Sequence, residues 1–232
     1  AVRKFWSGCR IVWWGKSASP AKKFFCIVLV IEGRMEMSIS LQKGQKVSLS
    51  KDNSGLSKVV VGLGWDEAPQ TKKGFFAPKP QPIDCDASAF LLRNGKLCAN
   101  EDIIYFGNLK HPTGTVQHMG DNLTGAGDGD DEQIIVDLAS IPQIYDKIVV
   151  VVNIYQAVQR KQHFGMIKNA FIRIVDARNN TELCKYNLSD DYSNMTAMIF
   201  GEIYRHNGEW KFNAMGQGTT DPGLGELANR FI

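Results

Sequence analysis

Short apolar runs alternate with Gly, Asn and Asp turns from residue 37 to the end of the chain. Eleven of these runs are rich in Val, Ile, Phe and Tyr, which is the pattern of β-strands bounded by turns. Many short strands with regular turn signals predict a mainly β protein, folded as a β-sandwich of two sheets. The predicted strands are 38–41, 47–49, 58–64, 85–92, 103–106, 132–138, 147–155, 170–176, 182–187, 197–205 and 209–216.

Turn and helix signals complete this pattern. Asn94-Gly95 and Asn207-Gly208 predict tight hairpin turns, because both residue types readily adopt positive φ. A Ser cap followed by a Pro in the first turn predicts a short helix near 140–147. Apolar residues at i, i+3 and i+7 predict a C-terminal helix over 221–232.

The net charge of +3 is unevenly distributed over the 232 residues. Residues 1–36 hold seven Lys and Arg against two Glu, so residues 37–232 carry a net −2. The first stretch also holds three of the five Trp and an apolar run, 24–31, behind two Lys. We interpret 1–36 as a leader, derived from a tag or from translated upstream sequence. Secretion and a native arm remain alternatives.

The five cysteines show no C-x-x-C spacing, which favours small buried thiols in a reducing compartment. The positive charge suggests nucleic acid as a partner, but 37–232 show no basic stripe with interleaved aromatic residues, and we expect no nucleic-acid binding. No apolar run approaches the roughly 20 residues of a membrane span.

The strongest chemical signal is the Gly-rich acidic loop at 120–132, with five acids and no basic residue. Repulsion among such closely spaced carboxylates is relieved by a cation, and Ca²⁺ takes about 6–8 oxygen ligands. The spacing is not that of an EF-hand. A solvent-exposed acidic turn is the alternative interpretation.

A second acidic motif begins one of the predicted strands. Asp84, Asp86 and Ser88 alternate with apolar residues, so their side chains share one face of the strand. Two carboxylates at i and i+2 can converge on one cation, and Asp66 could approach the same end of the sandwich. Mg²⁺ fits less well because it retains waters, and transition metals would favour His and Cys.

Several of these motifs together resemble the tellurium-resistance TerD family of bacterial stress proteins. They include Val61-Gly62-Leu63-Gly64-Trp65, the 84–91 strand, the acidic loop and the hairpin 204–212. The similarity continues in 40–44, 162–166 and 169–173, and so covers nearly all of 37–232.

The resemblance implies a cytoplasmic, Ca²⁺-binding β-sandwich in a stress response tied to tellurite resistance. It also implies partners among other stress-response proteins, with the inner membrane surface as one location. By position, the metal ligands of the family fall on Asp84, Asp86, Asp121, Asn122, Asp128, Asp130, Asp131 and Glu132.

Two functions compete with a non-enzymatic Ca²⁺-binding protein. One is a Ca²⁺-dependent membrane or ligand-binding module, in which Lys72, Lys73, Phe75 and Phe76 of the Pro-rich segment 66–83 contact the ligand. The other is an enzyme. We expect no catalytic residue, because the chain has neither a Gly-x-Ser-x-Gly elbow nor a phosphate-binding Gly-Lys loop. The four His, at 111, 118, 163 and 206, stand in no nucleophile or metal motif.

Overall fold

Twelve strands form two six-stranded sheets in the computed structural model, which describes residues 38–68, 81–120 and 129–232. The leader prediction for 1–36 therefore lies outside the described residues. The strands are β1 (Ile39–Leu41), β2 (Lys46–Ser48), β3 (Lys58–Glu67), β4 (Cys85–Leu92), β5 (Ile103–Ile104), β6 (Val116–His118), β7 (Glu132–Asp137), β8 (Lys147–Ile154), β9 (Ile167–Asp176), β10 (Thr181–Asn187), β11 (Ala197–His206) and β12 (Glu209–Thr219).

The first sheet has the strand order β1-β10-β9-β3-β7-β6, and the second sheet has the order β2-β12-β11-β8-β4-β5. All neighbours are antiparallel except β1 and β10. Buried residues alternate along the strands and meet between the sheets in one apolar core. This confirms the predicted β-sandwich of two sheets.

Strand β4 is buried on both faces, and this burial explains its nearly continuous apolar sequence. One set of alternate residues, including Cys85, packs into the core between the sheets. The other set includes Phe90, which packs beneath the C-terminal segment. That segment forms α2 (Leu224–Ala228) and a 3₁₀ turn (Asn229–Phe231), so the predicted C-terminal helix is confirmed in shorter form.

The short helix predicted near 140–147 is wrong. The N–H groups of residues 140 and 141 both bond to the Asp137 carbonyl, and the chain turns twice before β8 begins. Arg205 donates to the carbonyls of Ile141 and Tyr145 at 2.7 and 3.2 Å. These bonds hold the segment in its two turns, while the side chains of Ile141 and Tyr145 pack into the core.

Both hairpin predictions are confirmed. Asn207 and Gly208 have φ of 52° and 77°, and they join β11 to β12. Asn94 and Gly95 have φ of 53° and 75°, and the residues on either side of them, Arg93 and Lys96, form an antiparallel β-bridge. The sequence patterns did not predict β6 or the single-turn helix α1 (Ala157–Arg160).

Candidate metal site at the end of β4

The stem of the acidic loop lies across the outer face of β3. A Cβ atom at Gly62 would overlap the Asp130 carboxylate, and one at Gly64 would lie 2.5 Å from the Phe171 ring and 2.8 Å from the Gly129 carbonyl oxygen. Neither overlap can be relieved without moving the stem. The two glycines of the Gly-x-Gly motif therefore provide the space in which the loop stem packs on the first sheet.

Asp130 fixes this stem through a bidentate ion pair. Arg173 on β9 donates to the two carboxylate oxygens at 2.6 and 3.0 Å, and Gln133 donates at 2.9 Å. The side chain of Asp130 is only 2% exposed. These hydrogen bonds raise the pKa of the Arg173 guanidinium. If Asp130 bound a metal ion, it would do so with oxygens that already accept hydrogen bonds from Arg173 and Gln133.

Asp131 extends the pairing of β3 with β7 by one residue. Its N–H bonds to the Leu63 carbonyl at 2.7 Å, and its Oδ2 accepts the Trp65 N–H at 2.7 Å. Burial raises the pKa of the Asp131 carboxyl, and the charges of Asp66 and Asp130 add to this effect, while the bond from Trp65 opposes it. The structure thus holds Asp131 where its negative charge is unfavourable and a cation would be stabilising.

Glu132 reaches from the first sheet to the part of the β4 edge in the second sheet that does not pair with β5. Strand β5 pairs with β4 only at residues 89 and 90, so Ala87 lies beyond it. Glu132 Oε2 accepts the Ala87 N–H at 2.6 Å, and His118 Nε2 lies 3.2 Å from the Ala87 carbonyl oxygen. Because His118 Nδ1 accepts the Gly120 N–H at 3.1 Å, the ring proton is on Nε2. Two side chains therefore replace an edge strand.

Asp84 immediately precedes β4, and Asp86 is the second residue of that strand. Both side chains lie on the face opposite Cys85. The pKa of the buried Cys85 thiol depends on the charges around it. Burial raises its pKa well above the usual value, and the negative charges of Asp86, Glu132, Asp84 and Asp131 raise it further. Four of the eight predicted metal ligands, Asp84, Asp86, Asp131 and Glu132, therefore lie close enough to Cys85 to raise the pKa of its thiol, and we call these four residues the acidic cluster.

The other predicted ligands are placed differently. Asp121, Asn122 and Asp128 lie outside the described residues. Within the described residues, no group of three or more His, Cys, Asp and Glu side chains has the geometry to hold a metal ion. A complete carboxylate site would thus need oxygens from the loop or from neutral side chains.

A cleft of about 360 Å³ lies beside this acidic cluster, on the outer face of the first sheet. Asp66 borders it and accepts a hydrogen bond from Asn169 at 2.8 Å. Lys185 lies on the far side, with its Nζ 3.8 Å from the centroid of the Phe171 ring. The cleft therefore combines acidic, basic and aromatic groups.

A second cluster of titratable groups is buried below β5. Asp102 Oδ1 accepts from Tyr145 at 2.6 Å, from Arg93 at 3.2 Å and from His111 Nε2 at 3.2 Å. The N–H of Thr113 donates to His111 Nδ1, which fixes the ring tautomer. Burial raises the pKa of Tyr145. The His–Asp pair is buried and bonded internally, so its evident role is to attach the segment after β5 to the sandwich.

The sequence profile that matches this chain is that of the TerD domain, over residues 37–231. The chain belongs to the TerD family. It is 54% identical over 200 residues to "Stress response protein SCP2" of Bacillus subtilis, covering 84% of this chain and 100% of that one. It is 50% identical over 183 residues to "Tellurium resistance protein TerD" of Serratia marcescens, covering 78% and 91%.

The fold agrees with this assignment to the TerD family. The crystal structure of a protein of unknown function, SAV2460, superposes with a TM-score of 0.57 at 26% identity, covering 75% of this chain and 96% of that one. The helices of the described residues are all too short to span a lipid bilayer.

Proposed function

We propose that this TerD-family chain is a non-enzymatic Ca²⁺-binding protein of a bacterial stress response related to tellurite resistance. One observation carries the proposal: Asp84 and Asp86 flank Cys85 at the beginning of β4, and the negative charges of Glu132 and Asp131 from the first sheet also raise the pKa of that thiol. Such a cluster is stabilised by a cation, because like charges in a partly dry environment repel each other strongly.

The chemistry of the cluster favours Ca²⁺. Its donors are carboxylate oxygens, and further oxygens would come from the adjacent loop through Asp121, Asn122, Asp128 and Asp130. Ca²⁺ accepts about 6–8 oxygens at irregular angles, whereas Mg²⁺ requires near-octahedral geometry and retains waters. The ion would join the acidic loop of the first sheet to β4 of the second, next to the bond that Glu132 already makes with Ala87.

We infer that the protein acts without catalysis in the cytoplasm, with other stress-response proteins as partners, in part at the inner membrane surface, and without nucleic acid. Two relatives carry the names of a stress response and of tellurium resistance. The His111–Asp102 pair is buried and hydrogen-bonded within the protein, which supports a structural role for this pair and not a catalytic one.

A second candidate function is Ca²⁺-dependent binding to membranes. Tyr155 and Val158 are 41% and 59% exposed, and Arg160 and Lys161 follow them. The Tyr155 N–H bonds to the Asp84 carbonyl at 2.8 Å, so this apolar and basic tip adjoins the acidic cluster. The basic and aromatic residues expected at 72–76 lie outside the described residues. Co-sedimentation with anionic liposomes, with and without Ca²⁺, separates this function from simple ion binding.

Differential scanning calorimetry with and without Ca²⁺ tests the leading proposal. At a free Ca²⁺ concentration of about 100 Kd, binding adds about 2.7 kcal/mol to the free energy of unfolding. For a domain of this size the melting temperature then rises by roughly 5–10 °C. Asp86→Asn and Asp131→Asn should reduce this rise, whereas Asp190→Asn, at a surface ion pair with Lys43, should not. An equal melting temperature with and without Ca²⁺ contradicts the proposal.

A further inference from the structure

A buried amide faces the acidic cluster from the neighbouring strand. Asn153 on β8 is directly opposite Asp86 on β4 in the register of the two strands. Its side chain is 6% exposed, and its Nδ2 donates to Asp86 Oδ2 at 3.3 Å. The side chain thus reaches the carboxylate itself, although Asn153 is surrounded in sequence by the apolar residues of β8.

The oxygen of this amide is unsatisfied. In the part of the chain that the structure describes, Asn153 Oδ1 is buried without a hydrogen-bond donor. The Ser88 hydroxyl, two residues beyond Asp86 on the same face, is buried and unsatisfied as well. An orphaned buried oxygen is unfavourable, and a bound ion or water is one of the explanations for such an atom in a native protein.

The amide has the chemistry that a Ca²⁺ site needs in addition to carboxylates. Asn side-chain oxygens are ordinary Ca²⁺ ligands, and they increase the coordination number without adding charge repulsion. A half-turn of the amide presents Oδ1 where Nδ2 now lies beside Asp86. That rotation sacrifices no hydrogen bond of Oδ1, because Oδ1 has none. The hydrogen bond from Nδ2 is long and weak, so it opposes the rotation little.

The same sheet contains a matched pair in which the carboxylate is already neutralised. Asn213 on β12 is opposite Glu202 on β11, donates to it at 3.1 Å and also has an unsatisfied Oδ1. There, Lys147 forms an ion pair with Glu202 at 2.6 Å. Asn213 therefore serves as a control for Asn153, since its amide hydrogen-bonds to a carboxylate that a Lys already neutralises.

We propose that Asn153 is an oxygen ligand of the cation held by Asp86, an inference that rests on the Ca²⁺-binding function proposed above. The site then combines the carboxylate of Asp86 on β4 with the neutral oxygen of Asn153 on β8. Because neither residue belongs to the acidic loop, the ion is anchored on two paired strands of the second sheet.

Isothermal titration of the full chain with Ca²⁺ tests the affinity. Asn153→Leu should weaken binding at least about tenfold, the lower bound seen when even outer-shell partners of a metal are removed. Asn153→Asp should keep binding, because it returns an oxygen to the same position. Asn213→Leu should bind like the wild-type chain. The Leu variants should stay folded without Ca²⁺, because Leu has a branched shape close to that of Asn and the hydrogen bonds that they remove, at 3.3 and 3.1 Å, are long.

Carbon-13 NMR of the side-chain amides of the wild-type chain tests coordination directly, and it uses a variant only to assign the resonance. The Asn153 Cγ resonance, assigned by its loss in Asn153→Asp, should shift as Ca²⁺ is added, while the Asn213 Cγ resonance should not. An Asn153→Leu affinity equal to wild type, or an Asn153 Cγ that does not move when Ca²⁺ binds, overturns this inference alone. If wild type takes up no Ca²⁺, the proposed function fails as well.

Discussion

Gly62 on β3 lies beneath the Asp130 carboxylate, and replacing it with Ala tests how the acidic loop is held on the sandwich. The added methyl group would occupy the space of the carboxyl group. Asp130 must therefore move by roughly an ångström, enough to weaken both hydrogen bonds from Arg173, which are 2.6 and 3.0 Å long.

The size of the effect follows from the burial of the two charges. Breaking a fully buried ion pair costs about 3–5 kcal/mol, and breaking an exposed pair costs about 0–1 kcal/mol. Here the Asp130 side chain is 2% exposed and the Arg173 side chain is 31% exposed. Because Arg173 can turn to water while Asp130 cannot, we expect Gly62→Ala to lower the free energy of unfolding by about 2–3 kcal/mol.

Urea unfolding measures this change, and a double-mutant cycle identifies its cause. In an Asp130→Ala background the carboxylate is absent, so Gly62→Ala should have little further effect. Gly225→Ala in α2, where no atom lies within 4 Å of the added Cβ, is a control expected to be neutral or stabilising by up to about 1 kcal/mol. An equal cost of Gly62→Ala in both backgrounds would refute the reasoning.

Three further predictions concern charges and thiols. Arg178 lowers the pKa of the buried Asp176 through hydrogen bonds, so this carboxylate stabilises the fold above its unfolded pKa of about 3.9, and the gain is lost as the pH falls through the lower folded value. Arg178→Met should therefore destabilise the protein by about 1.5–3 kcal/mol at pH 7, and the difference from wild type in urea unfolding should shrink towards pH 3. Burial raises the pKa of Cys184 to about 12, so iodoacetamide should label the exposed Cys98 and leave Cys184 unlabelled until urea unfolds the chain, as peptide mass spectrometry will show. Glu132→Ala should lower the melting temperature in Ca²⁺-free buffer too, because its carboxylate binds a backbone N–H of the opposite sheet.

The strands were predictable where a local pattern decides the structure. Strand β4 has the predicted bounds, because its eight residues are bordered by turn residues on both sides. Strand β6 was missed, since a strand of three residues is too short to give a periodic signal. The helix near 140–147 failed because a distant side chain, Arg205, takes the carbonyls that a helix would use. No local pattern contains that contact.

The candidate site shows the same difference between residues that a local sequence pattern identifies and residues that only contacts distant in sequence identify. Asp84 and Asp86 were recognisable from their alternation, and the acidic loop from its composition. Asn153 was not, because a single polar residue in an apolar strand becomes meaningful only when the strand register places it opposite Asp86. The ion pair that Asp130 forms was also not predictable, because its partner Arg173 lies on β9, far away in the sequence.

The central claim is that carboxylates gathered at the beginning of β4 bind Ca²⁺, and titration calorimetry of the full chain at neutral pH tests it most directly. The account predicts a saturable heat of Ca²⁺ binding that Asp86→Asn reduces and Asp190→Asn leaves unchanged. The absence of any saturable heat, with a melting temperature that Ca²⁺ does not alter, would contradict the account.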